Sequence, residues 1–254
     1  MKNTAAVLGL DGLSWNYLDK LIKNGVMPYT KALLNKAFKT ELECIPPVTP
    51  PSWTSIMTGV NPGKHGIFGF FTYDRSTWKQ ILTSAYHLQH PRIHEMLSMN
   101  GIKSIVFNPM PDYPIIPTRN TIQISNLFFA PKPVSHPPEA YKKFFGDENP
   151  KEAKKDATCN YLNKYIHVIE LYKEAVEKAI NEDHTLLWVN LNIPDSLFHR
   201  CPEIIEIEEV LPSERKIFSE VDKLIKTLRE THETLIIVSD HGYATYRKLV
   251  SIND

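Results

Sequence analysis

The sequence predicts an α/β fold, a doubly wound and mostly parallel sheet with helices on both faces. Ala5 to Leu10, Lys103 to Asn108, Thr185 to Leu191 and Thr234 to Val238 are short apolar runs, the pattern of parallel strands buried on both sides. The stretches between them carry helical periodicity, so strands and helices alternate. Three of the runs lead within a few residues into an acid, Asp11, Asp195 or Asp240, at the strand end where open α/β sheets place their ligands. A chain of 254 residues suffices for one such domain. With no linker to divide it, residues 1–254 are expected to form a single domain, with a covering or cap segment within about 68–138.

Composition narrows the function. Lysine plus arginine, 29, equals aspartate plus glutamate, 29, so the formal charge is zero and nucleic acid is not expected as a general partner. No run approaches the ~20 apolar residues of a membrane span, and the N-terminus lacks the pattern of a signal peptide. Cys44, Cys159 and Cys201 are odd in number and widely spaced, which predicts no disulfide framework and a reducing, cytoplasmic setting. Cys201, two residues after His199, reads as a small apolar residue.

Each element follows from local chemistry. Ser14 can cap a helix from Trp15 to about Asn24, which Gly25 terminates. Pro28 opens a second helix to about Lys36, and Phe38 to Ile45 reads as a strand leading to Thr49. Because Thr49 precedes Pro50, it is expected in extended backbone, ahead of a helical run from Ser52 to Met57 that stops at Gly59. Its hydroxyl would then stand at a helix mouth, where free N–H groups and the dipole favour phosphate. His65, in the turn-rich Pro62 to Gly66, is expected to bond loop backbone rather than a metal. Phe68, Phe70, Phe71, Tyr73 and Trp78 read as core, with a wall for a flat ligand as the second reading.

Pro91 to Asn100 predicts a helix closed by Gly101. Eight prolines between Pro109 and Pro138 argue against a central strand, so this stretch is expected to be an ordered cover or cap with an edge strand near Thr121 to Ser125. The apolar Leu127, Phe128 and Phe129 favour order there. A long helix from Pro150 to about Glu182 is capped by Asn149 and shows an apolar stripe through Tyr161, Tyr165, Ile169, Tyr172 and Val176. Ser213 to about Arg229 is another amphipathic helix.

The candidate chemistry centres on Thr49. An alcohol is nearly inert at neutral pH, so a threonine nucleophile needs a base or a metal ion beside it. Asp195 and His199, four apart, face the same way on a helical turn and suit zinc or manganese. Asp240 and His241 are adjacent ligand-type residues at a strand end, followed by Gly242. Brought to one sheet edge with Asp11, these residues would form a shared metal site.

Together LGLDG, TPPSWTSIMTG, PGKHGI, PDSLFH and SDHG resemble the alkaline phosphatase superfamily, most closely its type I phosphodiesterase and nucleotide pyrophosphatase branch, over nearly the whole chain. The resemblance implies an alkaline phosphatase-like fold with two divalent ions, zinc first and manganese second. Asp11, Asp240, His241 and the Thr49 hydroxyl would hold one ion, and Asp195 and His199 the other. Thr49 falls on the nucleophile position and Ser52 on a residue that holds a phosphate oxygen, where nucleotide pyrophosphatases carry asparagine. The implied reaction is hydrolysis of a phosphodiester or nucleotide pyrophosphate through a phosphothreonine, the partner being a small phosphate ester or nucleotide. The alternatives are a phosphomutase or phosphonate hydrolase, or a non-catalytic metal- or phosphate-binding remnant. The family draws a third ligand for the second ion from a histidine well after SDHG, beyond Asp254, so a C-terminal part is expected to be missing.

Overall fold

The computed structural model describes residues 4–126, 129–150, 159, 162–246 and 248. Along the chain stand β1 (Ala5–Leu10), α1 (Trp15–Lys23), α2 (Pro28–Leu34), α3 (Thr49–Thr58), α4 (Pro62–His65), β2 (Phe71–Tyr73), β3 (Gln80–Leu82), α5 (Ile93–Met99) and β4 (Ser104–Phe107). They are followed by β5 (Thr121–Ser125), β6 (Val134–His136), α6 (Ala140–Phe145), α7 (Leu162–Ile180), β7 (Leu186–Leu191), α8 (Asp195–Arg200), α9 (Glu203–Glu206), α10 (Pro212–Thr231) and β8 (Thr234–Val238).

Six strands form one sheet in the order β6-β5-β4-β7-β1-β8, parallel throughout except that β6 runs against β5. Successive strand residues point to opposite faces, and the core divides accordingly. Ala6, Leu8 and Leu10 of β1 join Leu187, Val189 and Leu191 of β7 in a large cluster beneath α1, α7 and α10. Val7, Val106, Leu186 and Trp188 turn to the other face, against Trp53 and Met57 of α3. Helices therefore cover both faces of a mostly parallel sheet. The strand ends of β1, β7 and β8 are left along one carboxyl edge.

Local signals act as the sequence predicts in several places. The Ser14 hydroxyl accepts from the Tyr17 N–H at 3.3 Å, capping α1. On α10, the Asp222 carboxylate accepts the Tyr29 and Thr30 N–H groups and so docks the start of α2. The hairpin of β2 and β3 stands apart, its Phe71, Tyr73 and Trp78 exposed rather than in the core. Phe70 packs against Phe129 and the smaller cluster.

Four further expectations need correction. Phe38 to Ile45 alternates like a strand, yet among the described residues it pairs with no strand and is coil with Phe38 91 % exposed, since alternation alone supplies no partner for its N–H groups. Thr49 is helical, and Val48 takes the extended conformation as the cap; two prolines suit the first turn better than they disturb the residue before them. The strand at Thr121–Ser125 is interior, flanked by β4 and β6, so the proline-rich stretch supplies sheet strands as well as loops. Cys159 and Cys201 form a disulfide across 42 residues, with Cα atoms 4.9 Å apart, and only Cys44 is free. The disulfide takes away the ground on which a reducing compartment was expected, since such bonds belong mainly to oxidising ones. Among the described residues no helix is long and apolar enough to cross a membrane. Leu127, Phe128, Tyr161, the start of the long helix after Pro150, and the residues from 249 onward lie outside the described residues.

Candidate metal and phosphoryl site

Gly9 of β1 pairs with Val238 of β8, so Asp11 and Asp240 emerge side by side at the carboxyl edge, both fully buried. The turn after β1 depends on Gly12, whose φ of +76° suits only glycine well. A Cβ there would lie 2.9 Å from the Asp195 Cβ, so the missing side chain also lets α8 close against the strand end. The Gly12 N–H donates to Asp240 Oδ1 at 3.3 Å, and the Asp195 N–H donates to the Asp11 carbonyl at 2.9 Å. These backbone bonds tie the three acidic segments together.

His241 completes the cluster. Its Nδ1–H donates to the Gly242 carbonyl at 2.8 Å, which leaves a lone pair on Nε2. That nitrogen lies 3.0 Å from Thr49 Oγ1, 3.3 Å from Asp240 Oδ2 and 3.6 Å from Asp11 Oδ1. Asp11 Oδ1 and Asp240 Oδ2 are buried without any hydrogen-bond partner. Ligand atoms of Asp11, Asp240 and His241 all lie within 4.8 Å of one another. Carboxylate oxygens facing one another and an imidazole lone pair repel unless a cation stands among them, and oxygen with imidazole nitrogen is a donor set that zinc and manganese accept.

The acids feel the same conflict. Burial holds the Asp11 carboxyl well above the usual range, and repulsion from Asp240 and Asp195 adds to it. Burial also pushes Asp240 up to about 8, against the lowering effect of the Gly12 N–H. Asp195 is raised too, chiefly by burial, with His199 and His241 pulling the other way. The three carboxylates are therefore best ionised together when positive charge is placed among them.

Asp195 and His199 form a second, more open group. On α8 their side chains meet, His199 Nε2 standing 3.5 Å from Asp195 Oδ1, with the histidine side chain 65 % exposed against 10 % for the aspartate. The Tyr243 hydroxyl lies 3.2 Å from His199 Nδ1 and its ring meets the imidazole edge-on.

Ser52 sits one turn along α3 and is buried, its hydroxyl donating to the Pro46 carbonyl at 3.2 Å. Pro50 and Pro51 have no N–H, and the Ser52 N–H is bonded to the Val48 carbonyl at 3.1 Å. The helix mouth is thus poorer in free donors than the sequence leads one to expect. His65 is buried and structural: the Ile67 N–H donates to its Nδ1 at 3.1 Å, so its Nε2–H is left to donate to Ser55 Oγ at 3.0 Å. The Cys44 thiol donates to the Asp240 carbonyl at 2.5 Å, which places the free cysteine beside the cluster.

Trp53 and Tyr243 belong to this site although sequence reasoning gives neither a role. The Trp53 Nε1–H donates to Asp11 Oδ2 at 3.1 Å. Its signal was present as spacing, since residue 53 is four beyond Thr49 and shares its helical face. Tyr243 directly follows the SDHG motif, which is itself no physical signal.

The sequence profile described as type I phosphodiesterase / nucleotide pyrophosphatase matches residues 5–254. Among solved structures, phosphonoacetate hydrolase from Sinorhizobium meliloti 1021 in complex with phosphonoacetate is similar, with a TM-score of 0.69 and 18 % identity, over 95 % of this chain and 56 % of that one. Murine ectonucleotide pyrophosphatase / phosphodiesterase 5 is also similar, with a TM-score of 0.57 and 18 % identity, over 94 % of this chain and 57 % of that one. The chain thus spans little more than half the length of these structural neighbours.

Proposed function

The chain belongs to the type I phosphodiesterase / nucleotide pyrophosphatase family, and from that membership we propose that it is a metal-dependent phosphoesterase, acting on a small phosphodiester or nucleotide pyrophosphate through a phosphothreonine at Thr49. The observation that carries the reading is the Thr49 hydroxyl, 3.0 Å from His241 Nε2 and beside two orphaned carboxylate oxygens. Asp11, Asp240, His241 and Thr49 would hold one divalent ion, and Asp195 with His199 a second. Zinc is the first choice and manganese the second. When bound, such ions supply Lewis-acid polarisation of the phosphoryl group and make a hydroxyl easier to deprotonate.

The residues themselves set the order of events. Without an ion the Thr49 O–H points at the Nε2 lone pair; with that nitrogen committed as a ligand, the hydroxyl would be free to turn to phosphorus and its proton would pass to water. Oγ1 attacks phosphorus, the bond to the leaving oxygen breaks, and that oxygen departs with the electron pair and takes up a proton. Water then attacks the phosphothreonine, the phosphorus–Oγ1 bond breaks, and Thr49 recovers its proton. Ser52 would have to turn from the Pro46 carbonyl to hold a phosphate oxygen.

A second reading, phosphonate hydrolysis at the same residues, draws its support from the phosphonoacetate hydrolase among the structural neighbours and from serine rather than asparagine at position 52. Assays of the full chain with zinc or manganese on bis(p-nitrophenyl) phosphate, p-nitrophenyl phosphate and phosphonoacetate distinguish the readings. Thr49→Ala is expected to lower kcat about a thousandfold or more on the preferred substrate. Unchanged turnover in that variant would refute the nucleophile.

A further inference from the structure

Asp11 has two carboxylate oxygens in different situations. Oδ1 faces His241 without a hydrogen bond, while Oδ2 receives the Trp53 indole N–H at 3.1 Å. Indole nitrogen can only donate, so this contact fixes which oxygen is turned inward and which is left for a cation. The indole is itself held. Trp53 is 1 % exposed, and the far edge of its ring lies where Gly9 has no side chain. A Cβ on Gly9 would stand 2.6 Å from Trp53 Cη2 and 2.1 Å from Asn190 Oδ1. The Asn190 oxygen cannot simply give way, because it accepts the Trp188 Nε1–H at 2.8 Å and its amide nitrogen donates to the Asn108 carbonyl at 3.1 Å.

We infer that Trp53 is the positioning residue of the metal site, its indole N–H fixing the Asp11 carboxylate so that Oδ1 faces the cation, and that Gly9 is glycine to seat that indole. The inference rests on the proposed metal site and deepens it. Trp53 is not a ligand and touches no substrate. A residue of this kind changes affinity for the ion rather than the chemistry once the ion is in place, and loss of such outer partners typically weakens metal binding by about 10–100-fold.

The test is a titration of the metal-free chain with zinc, followed by calorimetry, in the wild type, Trp53→Phe and Gly9→Ala. Trp53→Phe keeps an aromatic ring and removes the donor. It should weaken zinc binding by about 10–100-fold while turnover recovers at saturating zinc with KM unchanged. Gly9→Ala, whose Cβ would press on the indole as well as on Asn190 Oδ1, should weaken binding in the same direction. A purely structural role would instead lower kcat at every zinc concentration. Should Trp53→Phe fail to fold, the wild type still answers: of its four indole N–H resonances, that of Trp53 must move on zinc addition. Trp15→Phe, Trp78→Phe and Trp188→Phe assign the resonance by elimination. Equal zinc affinity in wild type and Trp53→Phe, or a stationary Trp53 resonance when zinc binds, overturns the inference alone. Failure of the wild-type chain to bind zinc or manganese overturns the metal site and the inference with it.

Discussion

The two halves of the site are built in opposite ways. Asp11, Asp240, His241 and Thr49 come from three separate parts of the chain and meet only because β1 lies beside β8 and α3 crosses the adjoining face. Asp195 and His199 come from one turn of α8, and the helix alone aligns them. The first half is buried and crowded, with orphaned oxygens and strongly raised acids; the second leaves its histidine mostly in solvent. Burial makes the unsatisfied carboxylates of the first half costly, so an ion gains most there. In the second half His199 is already served by water, so an ion gains less from it.

If this contrast is right, ligand loss should be unequal. Asp240→Asn or His241→Ala should remove the tighter zinc site and lower turnover by a hundredfold or more, about the scale of losing a group from preorganised transition-state stabilisation. His199→Ala removes a proposed ligand and should cost the weaker site more than the roughly 10–100-fold of an outer partner, while leaving the tighter one countable by elemental analysis. Equal losses from His241→Ala and His199→Ala would break the distinction between the halves.

Protonation sharpens the contrast next. In the metal-free fold the Asp240 carboxyl holds its proton up to about 8, whereas in an unfolded chain it releases it near 4. Its folded-state pKa is raised, so its contribution to stability is greatest in acid and is lost as pH rises toward 8. Zinc requires the ionised form. Apparent affinity should therefore climb with pH by up to about tenfold per unit for each proton displaced, and level off above about 8. Calorimetry in two buffers of different ionisation heat measures the released protons directly. Affinity independent of pH between 6 and 8 would mean that the carboxyls are already ionised without metal.

The sequence made the sheet legible because buried parallel strands are written as uninterrupted apolar runs, and each such run ends where β1, β4, β7 or β8 ends to within a residue or two. It made the acids at the strand ends legible for the same reason. Thr49 was harder, since a local rule about residues before proline competed with the fit of two prolines to a first helical turn, and the second prevailed. Phe38 to Ile45 had the alternation of a strand, but alternation does not tell whether a partner edge is within reach. The Cys159–Cys201 bond could not be read from a spacing of 42 residues, because distance along the chain says nothing of distance across it. The Trp53 contact with Asp11 depends on the register of β1 against α3, which only the packed fold supplies.

The smallest expected effect falls on the open half, where Tyr243 stands to His199 as Trp53 stands to Asp11. Its hydroxyl lies 3.2 Å from His199 Nδ1, an orientation in which Nδ1–H can donate to the phenol oxygen and turn Nε2 toward Asp195. Water can replace that oxygen at an exposed imidazole, so Tyr243→Phe removes little more than one ordinary hydrogen bond, net about 0.5–1.5 kcal/mol, or roughly 2–10-fold in zinc affinity at this half. Trp53→Phe strips a charge-assisted bond at a side chain only 1 % exposed, where burial keeps solvent away, which is why its expected cost is larger. Zinc titrations of the two variants side by side measure burial itself, since each removes a single donor or acceptor one step away from a ligand. If Tyr243→Phe proved the more damaging, the open half would be the one that governs metal retention, and the ordering of the two halves would have to be reversed.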